Sequence, residues 1–116
     1  MLRLRTVGRR SGTERVAILG YFEDGHDLVT MAMNGWGDPE PAWWLNLQAR
    51  PDAVVELVDG PRAIRSRAAT GEERERLWAQ WGHYDRGLDD YAARRSRQTA
   101  VVIFEPHPDE ATTPGP

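Results

Sequence analysis

Cysteine and lysine are absent from the 116 residues of this chain. Without cysteine there is no disulfide, no thiol nucleophile, no zinc–thiolate site and no iron–sulfur cluster. Without lysine there is neither a Schiff base nor an amine nucleophile. Histidine is scarce, and His26, His83 and His107 share no metal-ligand spacing, so no metal site is expected. Ser11, Ser66 and Ser96 all lie outside a Gly-x-Ser-x-Gly elbow, which argues against a serine hydrolase. Glycine patterns of the phosphate-loop or dinucleotide-fold kind do not occur. No apolar run is long enough to span a bilayer, and Met1 leads straight into Leu2-Arg3-Leu4-Arg5 with no signal-peptide core. The expectation is a cytoplasmic protein with no integral membrane segment.

What is present is arginine, fifteen residues against eighteen acids, for a net charge of -3. That balance argues against a dedicated nucleic-acid binder, which carries a basic domain or stripe. The length suits one globular domain, expected over residues 1–105, with a Pro-rich polar tail over 106–116 expected to be disordered. Residues 2–7 alternate apolar with Arg and read as a strand that breaks at Gly8-Arg9-Arg10-Ser11-Gly12. Val16 to Phe22 is a nearly continuous apolar run and reads as a second strand; Asp24-Gly25 then signals a hairpin into a third over Asp27 to Met33. Pro41 opens a short helix through Arg50, and Pro51 closes it. Ala53–Val58 and Arg62–Ala69, joined by Asp59-Gly60, form a second hairpin. Thr70 with Glu73 gives a capping-box pattern for a second helix, and a broken helical stretch runs through Leu88, Tyr91 and Ala92. Ala100 to Phe104 is a last buried strand. The acid pairs Glu72/Glu73 and Asp89/Asp90 read as solvated helix faces. About six strands joined mostly by tight turns predict an α+β antiparallel or mixed barrel with two or three outer helices.

Two features carry candidate chemistry. In Gly8-Arg9-Arg10-Ser11-Gly12, with Arg15 just beyond, flanking glycines let backbone amides face an anion while guanidinium forks supply bidentate contacts. On its own the turn reads as a surface hairpin with solvated arginines before it reads as a phosphate clamp. The second feature is the strand end Ala32-Met33-Asn34-Gly35-Trp36 followed by Pro41-Ala42-Trp43-Trp44-Leu45-Asn46-Leu47, which could offer a flat heteroaromatic ring an apolar wall and backbone groups. One of Trp43 and Trp44 must pack inward, because adjacent helix positions point about 100° apart.

Thr6-Val7-Gly8-Arg9-Arg10-Ser11-Gly12, Arg15, Ala32-Met33-Asn34-Gly35, the run from Pro41 to Pro51, and Tyr91 to Pro106 with Gln98 follow in an order that resembles the deazaflavin-dependent nitroreductase family over nearly the whole chain. The resemblance implies a split β-barrel of the FMN-binding, flavin-reductase type and coenzyme F-420, rather than FMN, as cofactor. It implies that Arg9, Arg10 and Arg15, with Ser11 and Gly12, hold the phosphate and acidic tail. Ala32, Met33, Asn34 and Gly35 would meet the deazaflavin, and Trp43 and Asn46 would support it from the helix. Met33, Leu88 and Tyr91 would face the substrate, a small electron acceptor of the quinone or nitro class, with Tyr91 a candidate proton donor. A homodimer is part of the same expectation. Met33 stands where the family often has Ser, Leu88 where it often has Tyr, and Ile18 where it often has Pro; the helix that usually precedes the first strand is not expected here. The alternative reading is a non-catalytic deazaflavin- or FMN-binding protein on the same fold.

Overall fold

The computed structural model describes residues 1–33, 39–93 and 98–108. Seven strands form one sheet: β1 (Leu2–Val7), β2 (Glu14–Leu19), β3 (Phe22–Asp24), β4 (Asp27–Met31), β5 (Asp52–Leu57), β6 (Gly60–Ala68) and β7 (Val101–Pro106). Helix α1 (Ala42–Ala49) sits between β4 and β5, while α2 (Gly71–Tyr84) and α3 (Leu88–Ala93) lie between β6 and β7. The spatial order is β2-β1-β5-β6-β7-β4-β3, with every neighbouring pair antiparallel.

The run Val16–Phe22, expected as one strand, is two. It breaks at Gly20-Tyr21, and the halves become β2 and β3 on opposite edges of the sheet. A link of two residues spans at most roughly 10 Å. The sheet must therefore curl until its edges approach at this end, which makes a barrel split between β2 and β3. The Thr30 hydroxyl pins the junction by donating to the Gly20 carbonyl at 2.8 Å.

Burial follows from what covers each face. Strand β1 has one covered face, so Leu2, Leu4 and Thr6 point inward and Arg3 is exposed. Strand β7 is covered on both faces and is apolar at successive positions. Val102 and Phe104 join a core with Leu4, Trp44, Leu47 and Val55, whereas Val101 and Ile103 join a second core with Val29, Met31, Leu77 and Leu88 beneath the helices.

The capping box expected at α2 does not form. Thr70 occupies the N-cap position without a side-chain cap bond. Glu73 is engaged instead by both terminal nitrogens of Arg67, at 2.6 and 2.9 Å, and a bidentate charge-assisted pair outcompetes a neutral amide. Arg67 also meets Glu105 at 3.0 Å. At the other end of the chain, Pro106 closes β7, and His107 donates its backbone N–H to Ala63 at 3.1 Å and meets Asp52 at 3.2 Å. The first two residues of the expected tail are thus docked on the sheet.

Candidate functional site

The turn between β1 and β2 is built on Gly8. Its N–H donates to the Thr13 carbonyl at 2.8 Å, and its carbonyl accepts the Gly12 N–H at 2.9 Å. A Cβ at Gly8 would lie 2.6 Å from Ser11 Oγ and 3.3 Å from the Thr13 carbonyl, so a larger residue there displaces the Ser11 side chain. Gly12 has φ +71°, a conformation in which glycine avoids the Cβ penalty. Ser11 Oγ and Thr13 Oγ1 are 2.7 Å apart, and the same Ser11 oxygen accepts the Thr13 N–H at 3.2 Å.

This turn forms one end of a cleft of about 660 Å³ between β2 and α1. Arg9, Arg10, Ser11 and Arg15 line the turn end. Thr6, Gly8 and Asn46 border it, Ala17, Leu19, Pro41, Trp43 and Met33 supply an apolar wall, and Val16 and Ile18 line it from the exposed edge strand. Asn46 is 4% exposed and is the polar tie of the site. Its Oδ1 accepts both the backbone N–H and Nη1 of Arg9, and its Nδ2 donates to Thr6 Oγ1 at 3.2 Å. Trp43 packs edge-on against Phe104 with centroids 6.5 Å apart, which holds the indole at the cleft wall.

Charge pairing separates these arginines from six others. Arg3, Arg5, Arg62, Arg65, Arg67 and Arg76 each have a carboxylate partner. Arg9, Arg10 and Arg15 have none among the described residues, although they share one concavity. A second concavity of about 750 Å³ lies against β1, β5 and β6, and there Arg5 is already paired with Glu14 at 2.8 Å and Glu56 at 2.6 Å. Those pairs raise the Arg5 pKa above its ordinary value, the Glu14 hydrogen bond contributing most. Of these two concavities, the first holds three arginines without a carboxylate partner among the described residues, and the second does not.

Of the residues expected at a site, the cleft gathers Arg9, Arg10, Ser11, Arg15, Met33, Trp43 and Asn46. Gly12 shapes the turn without lining the cleft. Ala32 is fully buried in the core and its N–H is committed to Ala100 at 3.0 Å; the Met33 N–H is committed to Met31 at 2.9 Å. Neither amide is therefore free to donate to a ring. Leu88, expected to face substrate, is 1% exposed in the core with Leu77 and Ile103, because the apolar side of α3 folds down on the sheet. Asn34, Gly35 and the side chain of Tyr91 lie outside the described residues. Sequence reasoning missed the β2 wall. Its signal was present, since an edge strand with one covered face should alternate with polar residues, whereas Val16 to Leu19 does not.

A model of the F420H(2)-dependent quinone reductase family matches residues 1–106. The Mycobacterium tuberculosis protein Rv1261c, an F420H(2)-dependent quinone reductase, is 32% identical over 109 residues, spanning 89% of this chain and 71% of its own. Rv3178 of the same organism, named for the same activity, is 29% identical over 105 residues, spanning 90% of this chain and 88% of its own. Among solved structures, an F420-H2 dependent reductase (FDR-A) aligns with TM-score 0.79 and 27% identity over 90% of this chain and 92% of that one. A domain-swapped dimer aligns with TM-score 0.80 and 27% identity over 90% and 78%. The heme protein HutZ of Vibrio cholerae, at 13% identity and TM-score 0.68 over 91% and 80%, shares the fold.

Proposed function

The chain belongs to the F420H(2)-dependent quinone reductase family, and from that premise we propose that the 660 Å³ cleft holds coenzyme F-420, with its anionic tail against Arg9, Arg10 and Arg15 and its ring against Trp43 and Met33. The protein is an oxidoreductase of the split-barrel, flavin-reductase-type fold. When bound in reduced form, the coenzyme supplies a hydride, and a quinone that takes this hydride and one proton becomes the hydroquinone. Quinones are the acceptor class of the family; nitro compounds are a second class to be tested.

The observation that carries the assignment is the group of three arginines without carboxylate partners among the described residues, beside an apolar wall, in a chain of net charge -3. Uncompensated guanidinium groups suit a phosphodiester and carboxylates, and their field steers a polyanion into the cleft. Asn46 holds Arg9 in place, the turn built on Gly8 carries all three arginines to one end of the cleft, and Trp43 and Leu19 would wall the ring. No carboxyl or imidazole group lines the cleft among the described residues, and Tyr91 stays the candidate proton donor of this reading.

No described helix is long and apolar enough to cross a membrane. A highly charged, membrane-impermeant cofactor supports a cytoplasmic place of action. The domain-swapped dimer among the solved relatives supports a homodimer, which light scattering on the purified protein would test.

The direct experiment is a titration with coenzyme F-420 and, separately, FMN, following tryptophan fluorescence, together with turnover of reduced coenzyme by menadione. Arg10→Ala is expected to weaken coenzyme binding about tenfold or more. Unchanged affinity in that variant would overturn the cleft assignment, and stoichiometric binding without turnover would favour a carrier.

A further inference from the structure

One hydroxyl on the inward face of β1 is not explained by the core. That face presents Leu2, Leu4 and Thr6, all buried. Valine has the same branched shape as threonine and would fill the third position with no polar atom to satisfy, whereas a buried hydroxyl is costly unless it is hydrogen-bonded. The partner that offsets this cost lies on the helix, because Thr6 Oγ1 accepts Asn46 Nδ2 at 3.2 Å. Across the ladder, the register partner of Thr6 is Arg15 of β2, and paired residues of antiparallel strands share a face. Thr6 therefore stands at the border of the cleft between Arg15 and the side chain that holds Arg9.

The two ends of the Asn46 carboxamide are not interchangeable, since Oδ1 only accepts and Nδ2 only donates. Both groups that Arg9 turns toward it, the backbone N–H and Nη1, are donors, so Oδ1 must face Arg9 and Nδ2 must face away. Asn46 is shielded from water, and Thr6 is the one acceptor that Nδ2 finds among the described residues. Thr6 is β-branched and held in a strand, so its χ1 is stiff and its hydroxyl has a fixed place. With that acceptor removed, the buried Nδ2 is left unpaired, at a cost that favours rotation of the side chain. Such a rotation takes Oδ1 away from Arg9.

Resting on the cofactor assignment above, we propose that Thr6 is a positioning residue for the anionic end of the coenzyme. Its hydroxyl keeps the Asn46 carboxamide in the orientation that ties down Arg9, so the guanidinium is already in place when the anion arrives. Holding a cation before the ligand binds removes an ordering cost that binding would otherwise carry. The role runs through Asn46 and Arg9, so it concerns binding of the coenzyme and leaves the hydride step alone.

The test takes Thr6→Val and Thr6→Ser, each alone and combined with Arg9→Ala. Coenzyme F-420 is titrated by tryptophan quenching, beside thermal melts and steady-state reduction of menadione. Valine keeps the shape and strand propensity of threonine, and Thr6→Ala, which adds no methyl group, is read alongside it. Thr6→Val and Thr6→Ala are expected to weaken coenzyme binding about fivefold, to raise the KM for the coenzyme in parallel, and to leave kcat within about twofold. Thr6→Ser, which keeps the hydroxyl, is expected to stay within about twofold of wild-type affinity. In the Arg9→Ala background, Thr6→Val is expected to cause no further loss of affinity. Wild-type affinity in Thr6→Val and Thr6→Ala would overturn the proposal, as would an equal loss with and without Arg9. A lower melting temperature with unchanged coenzyme binding would make Thr6 a purely structural residue and also overturn it. If wild-type protein does not bind coenzyme F-420, the cofactor assignment itself fails and the positioning role with it. Wild-type binding that no Thr6 variant changes leaves that assignment standing and rejects the positioning role alone.

Discussion

Asn46 and Arg9, far apart in sequence, are joined twice: the Asn46 side-chain oxygen accepts the Arg9 backbone N–H at 3.2 Å and its Nη1 at 3.1 Å. The Asn46 amide nitrogen then donates to Thr6, so one buried side chain fastens α1 to the β1–β2 turn and holds one cation of the cluster. Asn46→Ala leaves the Arg9 amide and the Thr6 hydroxyl without this partner, at an expected cost of about 1–3 kcal/mol in stability. Coenzyme binding should weaken several-fold at the same time. Asn46→Asp keeps an acceptor for Arg9 but adds a carboxylate beside it, so stability should suffer less and coenzyme affinity more. Thermal melts with coenzyme titrations of both variants check this; wild-type affinity in both would make the link purely structural.

Gly8 gives a second, independent handle on the clamp. In Gly8→Ala the new Cβ meets Ser11 Oγ at 2.6 Å and the Thr13 carbonyl at 3.3 Å. The Ser11 hydroxyl can rotate away only by giving up its contacts with Thr13. We expect a stability loss of about 1–3 kcal/mol together with weaker coenzyme binding, as the arginines spread. Adding Ser11→Ala removes the nearer clash, so the double variant should be more stable than the sum of the single effects by about 1 kcal/mol. Strict additivity in denaturant titrations would show that the turn relaxes elsewhere.

Much of this arrangement was legible in the sequence because local physics decides it. The hairpin at Asp24-Gly25, the proline-bounded helix α1 and the glycine-flanked arginine turn each follow from residues within a few positions of one another. What escaped depends on distant partners. Nothing local says that Val16–Phe22 must split between opposite sheet edges; the separate pairings of β2 with β1 and β3 with β4 impose it. Glu73 reads as a capping residue until β6 places Arg67 against it. Leu88 was expected to face the substrate, but its side chain goes to the sheet, as Leu77 also does.

That burial makes Leu88 a test of where the substrate pocket ends. At 1% exposure among Met31, Leu77 and Ile103, it behaves as a core residue. Leu88→Ala is expected to cost about 2–5 kcal/mol through lost transfer energy and a residual cavity. The preference among quinone acceptors should stay the same at temperatures where the variant remains folded. A changed acceptor preference with an unchanged melting temperature would return Leu88 to the substrate pocket.

Asp27, at the start of β4, gives a pH-dependent prediction of opposite sign to its acidic neighbours. Burial is the main cause raising its pKa above the ordinary carboxylate value, with Glu105 adding to the rise and Arg67 opposing it. Since the folded state binds this proton more tightly than the unfolded chain, the Asp27 contribution to stability falls as pH rises from about 3.9, the unfolded value, through the folded pKa. Glu73 and Asp24 act the other way: Arg67 and Arg76 hold their pKa values down, so their contributions are complete above the unfolded values and are lost as pH falls through the folded ones. Asp27→Asn removes a charge that costs stability at neutral pH, while Arg67 keeps Glu73 and Glu105 as partners. The variant should therefore melt about 1–3 °C above wild type at pH 7. The gain should shrink toward zero near pH 3, where Asp27 is protonated in both states. Melting curves of the two proteins across this range provide the measurement, and a gain that grew on acidification would contradict the assigned direction.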